Sequence, residues 1–515
     1  MRRDDPRASQ LWSFDRELHG SARWADAAHL DSRGYHEDGH HLLGFLPAEQ
    51  KRGRARAITY GGARHRMVVA PTRGGKAVSA SVPMLLDHPG SAVVLDVKDG
   101  ELALITARYR EEVLGQQVFI IDPFDVVCSR LGREPARLNP MDAVDLEGDE
   151  PFDNALLIAE SCVIPESTGD THWSGEAEAL IAGLVLAESE RRLHGENAQL
   201  ADVRAVLNLS KAGFGEYVGA MFESPYALVR GAGGRISNKA DRERSGVIST
   251  AHRNTHFLES AKLAASLSVS DIDLSRIGEN TSVYIVLPAR RIRSAKRWLR
   301  LLIAGLIGAV TALPRKPYPP VLFLLEEMAT LERLSVIEQS FGLMAGYGLQ
   351  LCGIVQDFTQ LRDLYSDRWE TFLANSAAIQ CFGTNDLFTA RYLSELCGRT
   401  TVEQLGYETA LRRSSLFGDP DYRSERDSMA PRQLITTDEL MGMHPCVQLI
   451  VLASARPVMA YRPAYFLDAR YRNRRGQPLY DVHPHHADKP LAPALDFLKA
   501  GLDLGGALAP WLEVG

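Results

Sequence analysis

A long apolar run is the first thing this 515-residue sequence lacks. The longest, Leu301 to Leu313, falls short of the roughly 20 residues that span a bilayer and follows a basic stretch, so it reads as a buried helix. No apolar core follows the charged start Met1-Arg2-Arg3-Asp4-Asp5, which excludes a signal peptide. Cysteine is sparse. Cys128, Cys162, Cys352, Cys381, Cys397 and Cys446 are scattered with no C-x-x-C pair, which argues against zinc and a disulfide framework and fits a reduced cytosol. Neither charge sign dominates: 58 Lys and Arg face 65 Asp and Glu, for a net charge of −7. No whole-protein field therefore draws nucleic acid, and any DNA contact must come from local basic patches. No internal repeat is present, and the length allows roughly two to four domains.

What is present is a loop. Val68-Val69-Ala70-Pro71-Thr72-Arg73-Gly74-Gly75-Lys76-Ala77 is an apolar run broken by Pro, two glycines and a lysine. This is the pattern of a phosphate-binding loop between a buried strand and a helix, where backbone N–H groups and the helix N-terminus hold phosphates and the lysine reaches the β/γ oxygens. Thr72, Arg73, Gly74, Gly75, Lys76 and Ala77 are the candidate nucleotide-binding residues. The match is imperfect: Ala70 stands at the first glycine of G-x-x-x-x-G-K-[ST], and Ala77 stands where a hydroxyl would hold Mg²⁺. An ordinary glycine-rich turn has the same local pattern.

Residues 1–65 are polar and punctuated by Gly, His and Arg, and read as an irregular lead-in. From residue 66 to 150, short apolar strands at Met67–Ala70, Ala92–Leu95 and Val118–Ile121 alternate with helical stretches. This is the signature of an α/β fold with a parallel sheet covered on both faces. Between 151 and 273 the strand signal stops, and Ala155–Val163, Ser174–Leu193, Leu200–Leu209 and Ser245–Leu267 carry helical spacing, predicting an inserted all-α domain. Strands resume over 274–467, at Thr281–Leu287, Val321–Leu325, Leu349–Val355, Ala378–Phe382 and Val447–Leu452. Residues 468–515, rich in Pro, Arg and His, read as a loose C-terminal extension.

Ligands in such sheets sit at the carboxyl ends of the strands. Glu326-Glu327 follows the apolar strand Val321–Leu325, whose interior cannot carry two adjacent carboxylates, so both must lie at its mouth. There Glu326 would hold Mg²⁺ through water and Glu327 would polarise the attacking water. A strand end followed by an acidic helix start gives the same pattern. Gln356, after Leu351–Val355, would orient water and report the γ-phosphate, or simply face solvent. Asn385 is a weaker case of the same kind. Two basic stretches, Arg290 to Arg297 and the series Arg230, Arg235, Lys239, Arg242, Arg244 and Arg253, could meet DNA phosphates or a neighbouring subunit's nucleotide; they equally describe solvated helix faces. His40-His41 and His483, His485 and His486 lack partners at metal-ligand spacing.

In order along the chain, these segments resemble the coupling-protein ATPases of type IV secretion and conjugation. The resemblance runs through His19-Gly20-Ser21-Ala22-Arg23-Trp24-Ala25, the phosphate loop with Val82–Leu86, Asp96-Val97-Lys98-Asp99-Gly100-Glu101, Asp122-Pro123-Phe124 and Leu138–Asp142. It continues through His172-Trp173, Gln356 with Gln360-Leu361, and Leu434–Leu440, covering about residues 17 to 465. The resemblance implies a RecA-like P-loop motor, an ATPase with ATP and Mg²⁺ as cofactors, assembled as a homo-hexamer with an all-helical domain. It also implies DNA or a relaxase–DNA complex as substrate and secretion-channel components as partners. Family members usually carry transmembrane helices ahead of the segment that begins here near His19; their lack predicts a cytoplasmic protein that docks on a membrane anchor partner or works in a system not tied to conjugation. A small residue at Ala77 fits the family pattern. Glu326 departs from it, since the family usually has Asp there, and one extra methylene displaces the metal-binding oxygens. Ala70, Ala77 and Glu326 keep open a non-hydrolytic adaptor that recruits protein cargo. A DNA translocase outside secretion is a third possibility.

Overall fold

The computed structural model describes residues 19–35, 39–47, 55–164, 171–409 and 423–483. Its core is an eleven-stranded sheet in the order β2-β1-β13-β12-β9-β3-β8-β7-β4-β6-β5. The strands are β1 (His41–Leu46), β2 (Arg56–Tyr60), β3 (His65–Val69), β4 (Ala92–Asp96), β5 (Gln117–Ile121), β6 (Thr281–Val286), β7 (Val321–Leu325), β8 (Leu349–Val355), β9 (Ser376–Cys381), β12 (Val447–Leu452) and β13 (Val458–Tyr461). Two further strands, β10 (Arg399–Thr409) and β11 (Arg423–Gln433), form a separate two-stranded sheet. From β9 to β5 the sheet is parallel, and β12, β13, β1 and β2 extend it antiparallel. Every residue of β3, β4, β6, β7, β8 and β9 is buried. Double-sided burial of this kind is why these strands read as continuous apolar runs rather than alternating ones.

All eight strands expected from sequence are present. The reading of residues 1–65 as irregular is corrected: β1 and β2 join the sheet edge. Their signal was hidden because Gly44 interrupts β1 and β2 is only half-buried. The extension from 468 is also less loose than expected. Its described part packs on the α/β body, with Tyr471 and Tyr480 buried and the Asp481 amide donating to the Ile105 carbonyl at 3.0 Å. His485 and His486 lie outside the described residues.

One sheet face is covered by helix Ile292–Thr311, whose Ala295, Trp298, Leu299, Leu302, Ile303 and Leu306 are all buried. The other is covered by helices Val82–Asp87 and Glu101–Glu112. Between β5 and β6 the described chain is helical: Pro151–Cys162, Thr171–Leu193, Leu200–Leu207, Lys211–Phe222, Ala227–Ser237, Asp241–Asn254 and Ala261–Ser266. Two of these, 211–222 and 227–237, carry three glycines each, which blurred their helical spacing. The single helix expected over Ser245–Leu267 is broken by a 3₁₀ turn at His256–Glu259.

Arg300 joins the helical block to the sheet. Its guanidinium donates to the carbonyls of Glu160, Ser161 and Val163 at 2.9 to 3.2 Å, and to those of Leu331 and Arg333 at 2.9 and 2.6 Å. The first three close the C-terminus of helix 151–162, where a cation suits both the unsatisfied carbonyls and the helix dipole. Burial lowers the Arg300 pKa to about 10, which leaves it charged at neutral pH. Replacing Arg300 by Met strands these carbonyls without donors. It should lower the unfolding free energy by about 3 kcal/mol in chemical denaturation, and a loss under about 1 kcal/mol would contradict this role.

Candidate functional site

Parallel registration brings the sequence-predicted residues to one edge. Val69 of β3 lies opposite Val355 of β8, Gly353 of β8 opposite Leu325 of β7, and Leu325 opposite Leu95 of β4. The loop after β3, Gln356 after β8, Glu326-Glu327 after β7 and Asp96–Lys98 after β4 therefore emerge side by side.

The loop is tightly wound. The Gly74 amide donates to the Pro71 carbonyl at 2.9 Å, and the Ser79 amide to the Gly75 carbonyl at 3.0 Å. Arg73 and Gly75 take left-handed φ values of 62° and 77°. Glycine at 75 takes that angle without strain, and the Arg462 guanidinium stands where a Cβ would lie. The Thr72 and Arg73 side chains are exposed, and Ala77 opens the following helical turn. That turn, Ala77–Ser81, is a π-helix, a form frequent at functional sites, and an α-helix from Val82 continues it.

Lys76 is 4% exposed, and its Nζ donates to Glu327 Oε1 at 2.7 Å. Lys98 Nζ sits 2.8 Å from Glu326 Oε1 and 2.9 Å from Glu327 Oε1. Gln356 Nε2 donates to the other Glu327 oxygen at 3.1 Å. Glu327 itself adopts a left-handed φ of 56°, a strained angle that aims its carboxylate into this cluster. Burial pushes the Glu327 pKa up, but hydrogen bonds and charge from Lys76 and Lys98 outweigh it and hold the group down at about 2. Burial pulls Lys98 down, and Glu326 and Glu327 overcome this to leave it raised. The pairing keeps Lys98 cationic and Glu327 anionic, and removing one partner of a buried pair costs about 3–5 kcal/mol. Asp96, fully buried, accepts the Ala103 amide at 2.9 Å, and burial raises its pKa to about 7.

Sequence reasoning missed three members of the site. Ser81 donates its hydroxyl to Glu326 Oε2 at 2.7 Å, so a hydroxyl does meet the Glu326 carboxylate, from one turn beyond Ala77. The longer Glu326 side chain spans Ser81 on one side and Lys98 on the other. Lys98 was legible only as part of the Asp96–Glu101 segment, and Arg462 carried no signal because it arrives from β13, far along the chain. The remaining sequence candidates lie elsewhere. Asn385 is exposed. Arg235 and Lys239 pair with Glu176, Arg244 with Asp241, and Lys296 with Glu332. Arg230 donates to the Ser224 carbonyl, and Arg297 to Asn254 and the Cys162 carbonyl. Arg290 and Arg293 are exposed. His41 is buried between Arg66 and His88, and His483 lies 3.1 Å from Glu101. Among the described residues no three metal-ligating side chains converge.

The chain matches, over residues 23–486, the family described as type IV secretory system conjugative DNA transfer. It is 26% identical to the conjugal transfer protein TraG of Escherichia coli, covering 90% of this chain and 79% of the relative. It is 25% identical to the type IV secretion system-coupling protein VirD4 of Bartonella quintana, covering 84% and 68%. Among solved structures, the plasmid coupling protein TrwB superposes with a TM-score of 0.62 at 14% identity, over 86% of this chain and 93% of TrwB, in complexes with non-hydrolysable GTP and ATP analogues. That likeness establishes a shared fold.

The charge network predicts an acid dependence. With its pKa depressed from 4.5 to about 2, Glu327 contributes stability that is complete above its ordinary pKa and drains away as pH falls towards 2. Denaturation of Glu327→Gln should therefore show a shallower loss of stability than the native chain between pH 5 and 3. Parallel curves would mean that the lysines do not hold this carboxylate.

Proposed function

The chain belongs to the type IV secretory system conjugative DNA transfer family and is a type IV secretion coupling protein; from this premise we propose an ATP-driven motor that moves DNA or a protein–DNA substrate towards a secretion channel. The observation that carries the reading is the cluster of Lys76, Glu327, Gln356, Lys98 and Glu326 beside a glycine-lined loop at the carboxyl edge of a parallel sheet.

The residues present suit ATP with Mg²⁺. Lys76 and Lys98 place two ammonium groups beside the loop, each held by a carboxylate. When bound, the metal neutralises phosphate charge and polarises the reacting phosphoryl group. Thr72, Arg73, Gly74, Gly75 and Ala77 shape the loop, and Lys76 exchanges its contact with Glu327 for the β/γ-phosphate oxygens. Glu326, oriented by Ser81 and Lys98, is the residue that would hold the metal through water. Glu327, once Lys76 has turned to phosphate, accepts a hydrogen bond from the attacking water. Gln356 keeps that carboxylate in place and senses the γ-phosphate. The motor works as a homo-hexameric ring at the cytoplasmic face of the inner membrane, taking a relaxase–DNA complex and engaging channel components and a membrane anchor partner. No helix among the described residues is long and apolar enough to cross a membrane.

Ala77 leaves the lysine without an adjacent hydroxyl, which favours the second reading, a weakly hydrolytic adaptor for protein cargo. ATP hydrolysis measured with and without DNA separates the two. The motor predicts DNA-stimulated turnover that Lys76→Ala reduces at least about 100-fold, as expected when a principal phosphate contact is removed. Turnover indifferent to Lys76→Ala, or absent from an assembled ring with DNA, would sink it. Lys98→Ala should lower kcat more than it raises KM, because Lys98 touches the carboxylates rather than the loop.

A further inference from the structure

Arg462 follows β13, on the opposite side of β3 from the carboxylates. Its Nη2 donates to the Gly74 carbonyl at 2.5 Å and lies 3.3 Å from Ser79 Oγ, while Nη1 donates to the Pro445 carbonyl at 2.8 Å. The guanidinium stacks 4.2 Å over the Phe382 ring and closes the space beside Gly75. Among the described residues no carboxylate pairs with it, and its buried Nε has no acceptor. Its stem also walls a cavity of about 580 Å³ between β1, β2 and residues 463–471.

A largely buried arginine without a carboxylate is expensive unless its position is needed. Here it grips the carbonyl side of Gly74, which fixes the peptide planes and so the direction of the loop amides. Sheet order says which end of a nucleotide this serves. Glu326, Glu327 and Gln356 lie on the β7–β8 side of the loop and define the γ-phosphate end. The β9–β12–β13 side, where Arg462 stands, is therefore the α-phosphate and ribose end.

We propose that Arg462 is a positioning residue for nucleotide binding, which sets the phosphate loop for the α- and β-phosphates shared by ATP and ADP and takes no part in hydrolysis. This rests on the nucleotide reading above, and the two are separable by experiment. Affinities of full-length protein for a fluorescent ATP analogue and for ADP would be measured for the native chain, Lys76→Ala and Arg462→Met, which keeps an unbranched stem over Phe382. Arg462→Met should weaken both nucleotides by the same factor, about 10-fold, equivalent to about 1.4 kcal/mol, with kcat at saturating ATP within about twofold of native. Hydrogen exchange at the loop amides of the free variant should also quicken. Equal affinity in Arg462→Met alongside lost binding in Lys76→Ala would overturn the Arg462 role alone, as would a loss confined to ATP. Binding unchanged by Lys76→Ala would overturn the nucleotide reading and this inference with it. If the methionine variant fails to fold, Arg462→Lys, which keeps the charge and one donor, should show an intermediate and equal loss for both nucleotides; native affinity there with native loop exchange would overturn the proposal.

Discussion

The parallel pairing of β3 with β8, β8 with β7 and β7 with β4 is the constraint on which everything at the carboxyl edge depends. Each strand is buried on both faces, so its register is fixed by packing on two sides at once. A slip of one residue in β7 would turn Glu326 from Ser81 and Lys98 towards the opposite face. The site's polar groups sit where the apolar runs end, because an unpartnered charge within them would be costly.

At that edge, charges are arranged in alternation. Lys76 meets Glu327, Glu327 shares Lys98 with Glu326, and Glu326 accepts from Ser81. Each group neutralises the desolvation of its neighbour, which lets ionised side chains persist at low exposure. The arrangement also reconciles two departures from the usual phosphate-loop pattern. Ala77 contributes no hydroxyl, and Glu326 is one methylene longer than aspartate. The longer side chain reaches Ser81, at the end of the π-turn, so the two departures compensate in space.

Two arginines, Arg300 buried and Arg462 partly so, connect this edge to the rest of the molecule by the same means, donation to backbone carbonyls. Arg300 links the end of helix 151–162 to the segment that follows Glu326-Glu327. Arg462 links the loop to the antiparallel edge carrying β13 and β1. Arginine suits both places, because its planar fork satisfies several carbonyls at once and stays charged when burial lowers its pKa.

The sequence alone specified the strands from β3 onward that are buried on both sides, since continuous apolar runs need no partner to be recognised. It also specified the loop, the acidic pair and Gln356, whose chemistry is local to a strand end, and the ordered series of segments that marks the family. It did not reveal β1 and β2, whose patterns are short, glycine-broken or half-exposed, nor the glycine-containing helices at 211–222 and 227–237, where packing overrides weak propensity. Tertiary structure alone decided that Lys98 after β4 and Ser81 from the π-turn meet Glu326, and that Arg462, 388 residues from Gly74, holds the loop. Those contacts depend on strand order and crossover, which local sequence does not encode. Residue type and spacing fixed which groups stand at the strand ends; the order of the strands fixed which of them touch.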